Sequence, residues 1–191
     1  MAAMTFGDAV GEGIFNYSYF GQRAARAEYW WWVLFSIICT FGAIVLDSLI
    51  FAGWNGPQFW YVVGGPFYIV VAIALFLPTL SVTVRRLHDT NKSGWWLLFP
   101  YGTMFIFFIL AFNLIHQSIL ATTATVGGRA VNNATAFSLG VSANLFLAVG
   151  ILMLIFFIIL LVFMLLPGNP GNNKYGPNRY AGAGPDRYGA V

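Results

Sequence analysis

The chain has 191 residues, of which 59% are hydrophobic, 18% aromatic and 8% charged, whereas a soluble domain carries roughly 25% charged residues. A water-soluble globule is excluded. The nine Lys and Arg and six Asp and Glu, net +3, leave charge-free stretches of 18, 37, 35 and 44 residues at Tyr29 to Leu46, Ser48 to Val84, Gly94 to Gly128 and Ala130 to Asn173.

About 20 apolar residues in a helix cross the hydrocarbon core of a bilayer, and only helices or closed barrels satisfy their backbone there. The expected fold is therefore all-α: a polytopic integral membrane protein of four transmembrane helices with a disordered C-terminal tail. Residues 1–28 form a cytoplasmic juxtamembrane segment. Asp8 and Glu12 come early in it and no central apolar run follows, so no cleavable signal peptide is expected. Phe6, Val10, Ile14 and Tyr17 recur at helical spacing while Gly7, Gly11 and Gly13 oppose a helix. A short amphipathic helix on the inner surface and an irregular segment are equally compatible with that pattern.

The membrane domain covers 29–166. Its first span, about 29–50, opens on Tyr29-Trp30-Trp31-Trp32 and carries Asp47 near its far end; Trp54-Asn55-Gly56-Pro57-Gln58 reads as a tight turn. Gly64-Gly65-Pro66 breaks the next apolar run, placing the second span at about 67–84, with Pro78 expected to kink it. A polar connection, Arg85 to Gly94, follows, in which Ser93 suits an N-cap. The third span is about 95–115, with Pro100 tolerated near its start. Residues 116–140, rich in Ser, Thr, Asn, Ala and Gly with Arg129 as their only charge, read as an irregular extramembrane loop, and 145–166 as the fourth span. The segment 167–191, with four Pro and six Gly, reads as a flexible cytoplasmic tail. It carries three units that pair a cation with an aromatic: Lys174-Tyr175, Arg179-Tyr180 and Arg187-Tyr188.

Eight of the nine basic residues fall on one side of this topology, Arg129 alone on the other. The positive-inside bias puts both termini and the Arg85 loop in the cytoplasm. Trp30, Trp31, Trp32, Trp95 and Trp96 then lie at the inner boundary, Trp54 and Trp60 at the outer.

The same topology gathers Arg23, Arg26, Glu28, Arg85, Arg86, His88, Asp89 and Lys92 at the inner surface. Two readings fit. They are topology anchors and caps tying helix ends together, with Glu28 or Asp89 paired to the arginines or Asp89 in an Asx turn; or they are a headgroup cradle, because Arg matches phosphate oxygens bidentately. Adjacent His88 and Asp89 have no nucleophile beside them, so no catalytic residue and no enzyme activity is expected. One inner His, an outer His116 and a lone Cys39 make no metal site, and no cofactor is expected. Basic residues beside spans serve topology, so nucleic acid is not an expected partner. Asn133-Ala134-Thr135 fits an N-glycosylation acceptor, a pattern common by chance. No span has an ionisable residue near its centre and the halves do not repeat.

Phe20-Gly21-Gln22-Arg23-Ala24-Ala25-Arg26-Ala27-Glu28-Tyr29-Trp30, Arg85-Arg86-Leu87-His88-Asp89-Thr90-Asn91-Lys92-Ser93-Gly94-Trp95-Trp96 and Leu166-Pro167-Gly168-Asn169-Pro170-Gly171-Asn172-Asn173-Lys174-Tyr175-Gly176-Pro177 occur in this order. Together they resemble the blocks of the family known as domain of unknown function 805, the YhaH-like small bacterial inner-membrane proteins. Gln22 stands where that family usually has Gly, and Trp96 and Leu166 are 70 positions apart where the family passes through one short apolar region. The resemblance implies a bacterial plasma membrane and a shared cytoplasmic-face motif, and assigns no activity because the family's own role is unassigned. The expected role is a non-enzymatic accessory or scaffold acting through a basic cytoplasmic face on anionic phospholipid, a membrane protein partner or a second copy; the alternative is a small oligomeric transporter or pore subunit.

Overall fold

The structure, a computed structural model, describes residues 4–51, 64–127 and 133–177. Among the described residues five helices follow one another: α1 (Phe6–Phe15), α2 (Arg26–Ile50), α3 (Pro66–Asp89), α4 (Leu98–Val126) and α5 (Asn133–Leu165), with a 3-10 turn, Gly94–Leu97, ahead of α4. Among the described residues there is no strand, only an isolated bridge between Asn173 and Gly176. Four helical stretches, Arg26–Ile50, Pro66–Asp89, Gly94–Thr123 and Ser138–Leu165, are long and apolar enough to cross a membrane. Their outer side chains are bare apolar groups: Leu49 is 72% exposed, Ile73 71% and Phe112 71%. The chain divides into two compact units, one of residues 1–94 with 163–191 and one of 95–162. The turn expected at Trp54 to Gln58, Trp60, Arg129 and everything beyond 177 lie outside the described residues.

In the first unit the glycines that opposed α1 explain how it sits. Thr5 and Asp8 form a reciprocal capping box that starts the helix, and the hydrogen bonds from Thr5 hold the Asp8 carboxyl below the usual carboxylate range. Ala9 and Gly13, four apart, turn inward. A Cβ on Gly13 would fall 2.1 Å from the Trp32 ring, so only glycine lets α1 lie on α2. Trp32 is consequently buried, not a surface anchor as its three-Trp run suggested, and its indole N–H donates to Thr79 Oγ1 of α3 at 3.1 Å.

α3 begins as Gly64-Gly65-Pro66 predicts: Gly64 has φ +89, Gly65 is the N-cap and Pro66 occupies the first turn. Its cap comes from another helix. Asp47 of α2 accepts from the backbone N–H of Phe67 at 3.0 Å and of Tyr68 at 2.8 Å, placing a buried carboxylate on the positive end of α3. A Cβ on Gly65 would meet that carboxyl at 2.0 Å.

In the second unit α4 and α5 meet through aromatic pairs, Phe107 with Phe146 at 4.3 Å and Phe99 with Phe156 at 5.3 Å, and Ser142 donates to Gln117 Oε1. Two expectations change here. The irregular loop expected over 116–140 is mostly helix, because α4 runs to Val126 and α5 starts at Asn133. Ser118, Thr122, Thr123 and Thr125 turn their hydroxyls back onto carbonyls three or four residues earlier, which lets polar side chains continue a helix. Ser93 precedes the 3-10 turn and is not the N-cap of α4, which is Leu97.

Candidate functional site

The charged residues gathered by sequence converge where α2 begins and α3 ends. Arg23 and Glu28 flank the start of α2, while Arg85, Arg86, His88 and Asp89 occupy the last turns of α3, which runs five residues beyond the span expected to end at Val84. Ala24 N–H donates to the Arg85 carbonyl at 3.0 Å, fixing the two segments side by side. The guanidinium groups point inward: Arg23 is 1% exposed, Arg85 and Arg86 0%.

Each buried cation has a buried counter-charge. Arg85 Nη1 lies 2.6 Å from Glu28 Oε1. Asp89 is shared, with Arg23 Nε donating to Oδ1 at 2.9 Å and Arg86 Nη1 to Oδ2 at 2.5 Å. The pairing expected for Glu28 and Asp89 is thus present, and Asp89 serves two arginines in place of an Asx turn.

Main-chain oxygens supply further acceptors to Arg86 and Arg23, whereas Arg85 Nε and Nη2 are buried without one. Arg86 donates through Nε and Nη2 to the Met164 carbonyl, at 3.3 and 3.2 Å, and through Nη2 to that of Leu166. A cation therefore meets the open carbonyl end of α5. Arg23 donates to the carbonyls of Gly171, at 2.8 Å, and Asn169. The Asn169 N–H donates to the Asp89 carbonyl at 2.9 Å, and Asn173 Nδ2 to the His88 carbonyl at 2.8 Å. The His88 ring stacks on Tyr175 with centroids 3.7 Å apart and planes 8° from parallel.

Residues 166–177 consequently form a strap over the end of α3. This corrects the expectation of a flexible tail from Pro167: through 177 the segment is pinned by its own carbonyls, and its glycines are fitted to the job. A Cβ on Gly168 would fall 2.0 Å from Asp89 Oδ2, and Gly176 has φ +122, a conformation that favours glycine. Sequence reasoning missed Asn169, Gly171, Asn173 and Tyr175 as partners of the cluster, because low apolar content reads as disorder when the acceptors are backbone. The Leu-Pro-Gly-Asn-Pro-Gly-Asn-Asn run was the available signal.

Of the other gathered cations, Arg26 lies close enough to Arg86 to act on it electrostatically. Lys92 Nζ lies 4.3 Å from the Phe163 ring centroid, a cation–π contact, and Arg26, half-buried, opens α2. Lys174 is exposed beside Tyr175. Among the described residues no group of three or more His, Cys, Asp or Glu is placed to hold a metal ion.

Four helical stretches long and apolar enough to cross a membrane, with a buried ionic clasp where α2 begins and α3 ends, define a multi-pass helical membrane protein. The profile of the family described as "Protein of unknown function (DUF805)" matches residues 17–177, and the chain belongs to that family. The chain is 40% identical over 101 residues to inner membrane protein YhaH of Escherichia coli (strain K12), covering 51% of this chain and 77% of the relative. It is 37% identical over 83 residues to inner membrane protein YhaI of the same strain, covering 44% of this chain and 62% of the relative. No solved structure matches. With these relatives the four apolar helices mark a multi-pass inner-membrane protein.

Proposed function

We propose that the protein is a non-enzymatic accessory or scaffold of the inner membrane, oriented with both termini and the clasp in the cytoplasm, whose clasp end is presented to acidic headgroups or to a membrane protein partner. One observation carries this reading: Arg85 pairs with Glu28, while Arg23, Arg86 and Asp89 engage one another and the strap, an arrangement suited to a fixed platform. Buried ion pairs are weak sources of net stability but good devices for holding one arrangement. The cations left at the rim of the platform, Lys174 exposed and Lys92 half-buried, are the ones suited to anionic lipid, worth about 1 kcal/mol each near the surface.

A photo-cross-linking side chain at position 174 in native membranes tests the reading. Capture of anionic phospholipid, or of one partner in stoichiometric yield, is the expected result. Solute flux through proteoliposomes of the purified protein would replace it with the oligomeric transporter or pore.

A further inference from the structure

Pro78 lies inside α3, and a proline has no N–H to offer the carbonyl four residues earlier. That carbonyl belongs to Ala74, deep in the apolar run of a spanning helix, where an unsatisfied backbone group is costly. The structure fills the gap from outside the helix: the Tyr17 hydroxyl donates to the Ala74 carbonyl at 2.6 Å. One turn further on, Ser81, fully buried, donates to the carbonyls of Asn16, at 2.9 Å, and Tyr19, at 2.7 Å. The end of α1 and the turn after it are thus built into the broken stretch of α3.

From this docking we infer that α1 is embedded in the bilayer, an in-plane helix bound by lipid acyl chains along Phe6, Val10 and Ile14. The three faces of α1 divide accordingly. Ala9, Gly13 and Asn16 are buried against the protein. Asp8 and Glu12, four apart, form a polar edge, with Asp8 exposed. Phe6, Val10 and Ile14 form the third face: Phe6 leans on Trp31 and Phe35, with centroids 5.8 and 6.4 Å away, and Ile14 is 56% exposed. This stripe continues directly into the apolar surface of α2, where Trp31 and Leu34 are exposed, and α2 has to meet lipid to span. With no cation on α1, attraction to acidic headgroups does not account for its placement; apolar contact does. Phe15, at the helix end, stands apart from the stripe. The inference does not depend on the clasp acting as a platform.

Nitroxide labels on the full chain in vesicles, at Ile14→Cys and Asp8→Cys on a Cys39→Ser background, decide it. Collision rates are read with oxygen, which concentrates among acyl chains, and with a water-soluble nickel chelate carried to both faces by freeze–thaw. The expected result is oxygen-dominated collision at 14 and a several-fold higher nickel-to-oxygen ratio at 8. Nickel access at 14 equal to that at 8 would put the stripe in water, and low access of both reagents at 14 would put it against protein; either overturns the proposal. Val10→Cys is the second reporter if the label at 14 alters the melting temperature.

Discussion

Tyr17, Pro78 and Ala74 make a three-residue argument that can be measured in isolation. Tyr17→Phe leaves the Ala74 carbonyl without a donor, which costs about 1 to 3 kcal/mol for a group kept from water, here by the bilayer. Pro78→Ala restores the N–H within α3, so Tyr17→Phe in that background should cost markedly less; equal costs in a double-mutant cycle of detergent melts would show that the hydroxyl acts otherwise. Asp89 offers the larger effect. Asp89→Ala strands Arg23 and Arg86 inside the protein, and breaking a buried pair from one side costs about 3 to 5 kcal/mol. Thermal unfolding in detergent should fall clearly, whereas Lys174→Ala, at an exposed position, should melt like the parent. At this scale the sequence was informative about charge and silent about backbone. Arg23, Glu28, Arg85, Arg86 and Asp89 announce themselves as ionisable groups beside apolar runs, but the Gly171 and Met164 carbonyls they also engage look like every other carbonyl.

Two helix ends in this molecule are closed by a neighbouring helix. Asp47 of α2 serves the start of α3, and Arg86 of α3 serves the end of α5, so both draw their partner from a different element. Asp47→Ala should therefore loosen α3 without touching α2, seen as faster amide exchange confined to residues 67–69. Close approach does the same work for α1. Gly13→Leu forces a side chain into the Trp32 ring and should free α1, exposing the 16–25 segment to limited proteolysis, while Gly11→Ala, where a Cβ meets nothing within 4 Å, should not. Element positions were largely legible: the Gly64-Gly65-Pro66 break, Pro78 and the α2 boundary all follow from local chemistry. The misread element was 116–140. Its hydroxyl and small residues look like a loop until they are seen bonding their own helix, and composition alone does not separate those two uses of Ser and Thr.

At the scale of the whole chain, four spans follow from charge-free length alone, and their sidedness is the proposal that most needs a direct test. Single cysteines at Asn91, Val191 and Arg129 on the Cys39→Ser background should divide two against one, with only position 129 modified by an impermeant external reagent. Modification at 191 from outside would reverse the orientation or change the number of spans.

The strap carries a consequence for biosynthesis. Residues 166–177 leave the ribosome only after all four long helices have entered the membrane, yet they supply acceptors to arginines placed before the first and at the end of the second. Until that moment Arg23 and Arg86 share a single carboxylate and lack their carbonyl partners. Synthesis of the strap is thus chemically registered at the earliest basic residue, and a product truncated at Leu165 would present an open, half-neutralised helix end to the quality-control proteases of the membrane.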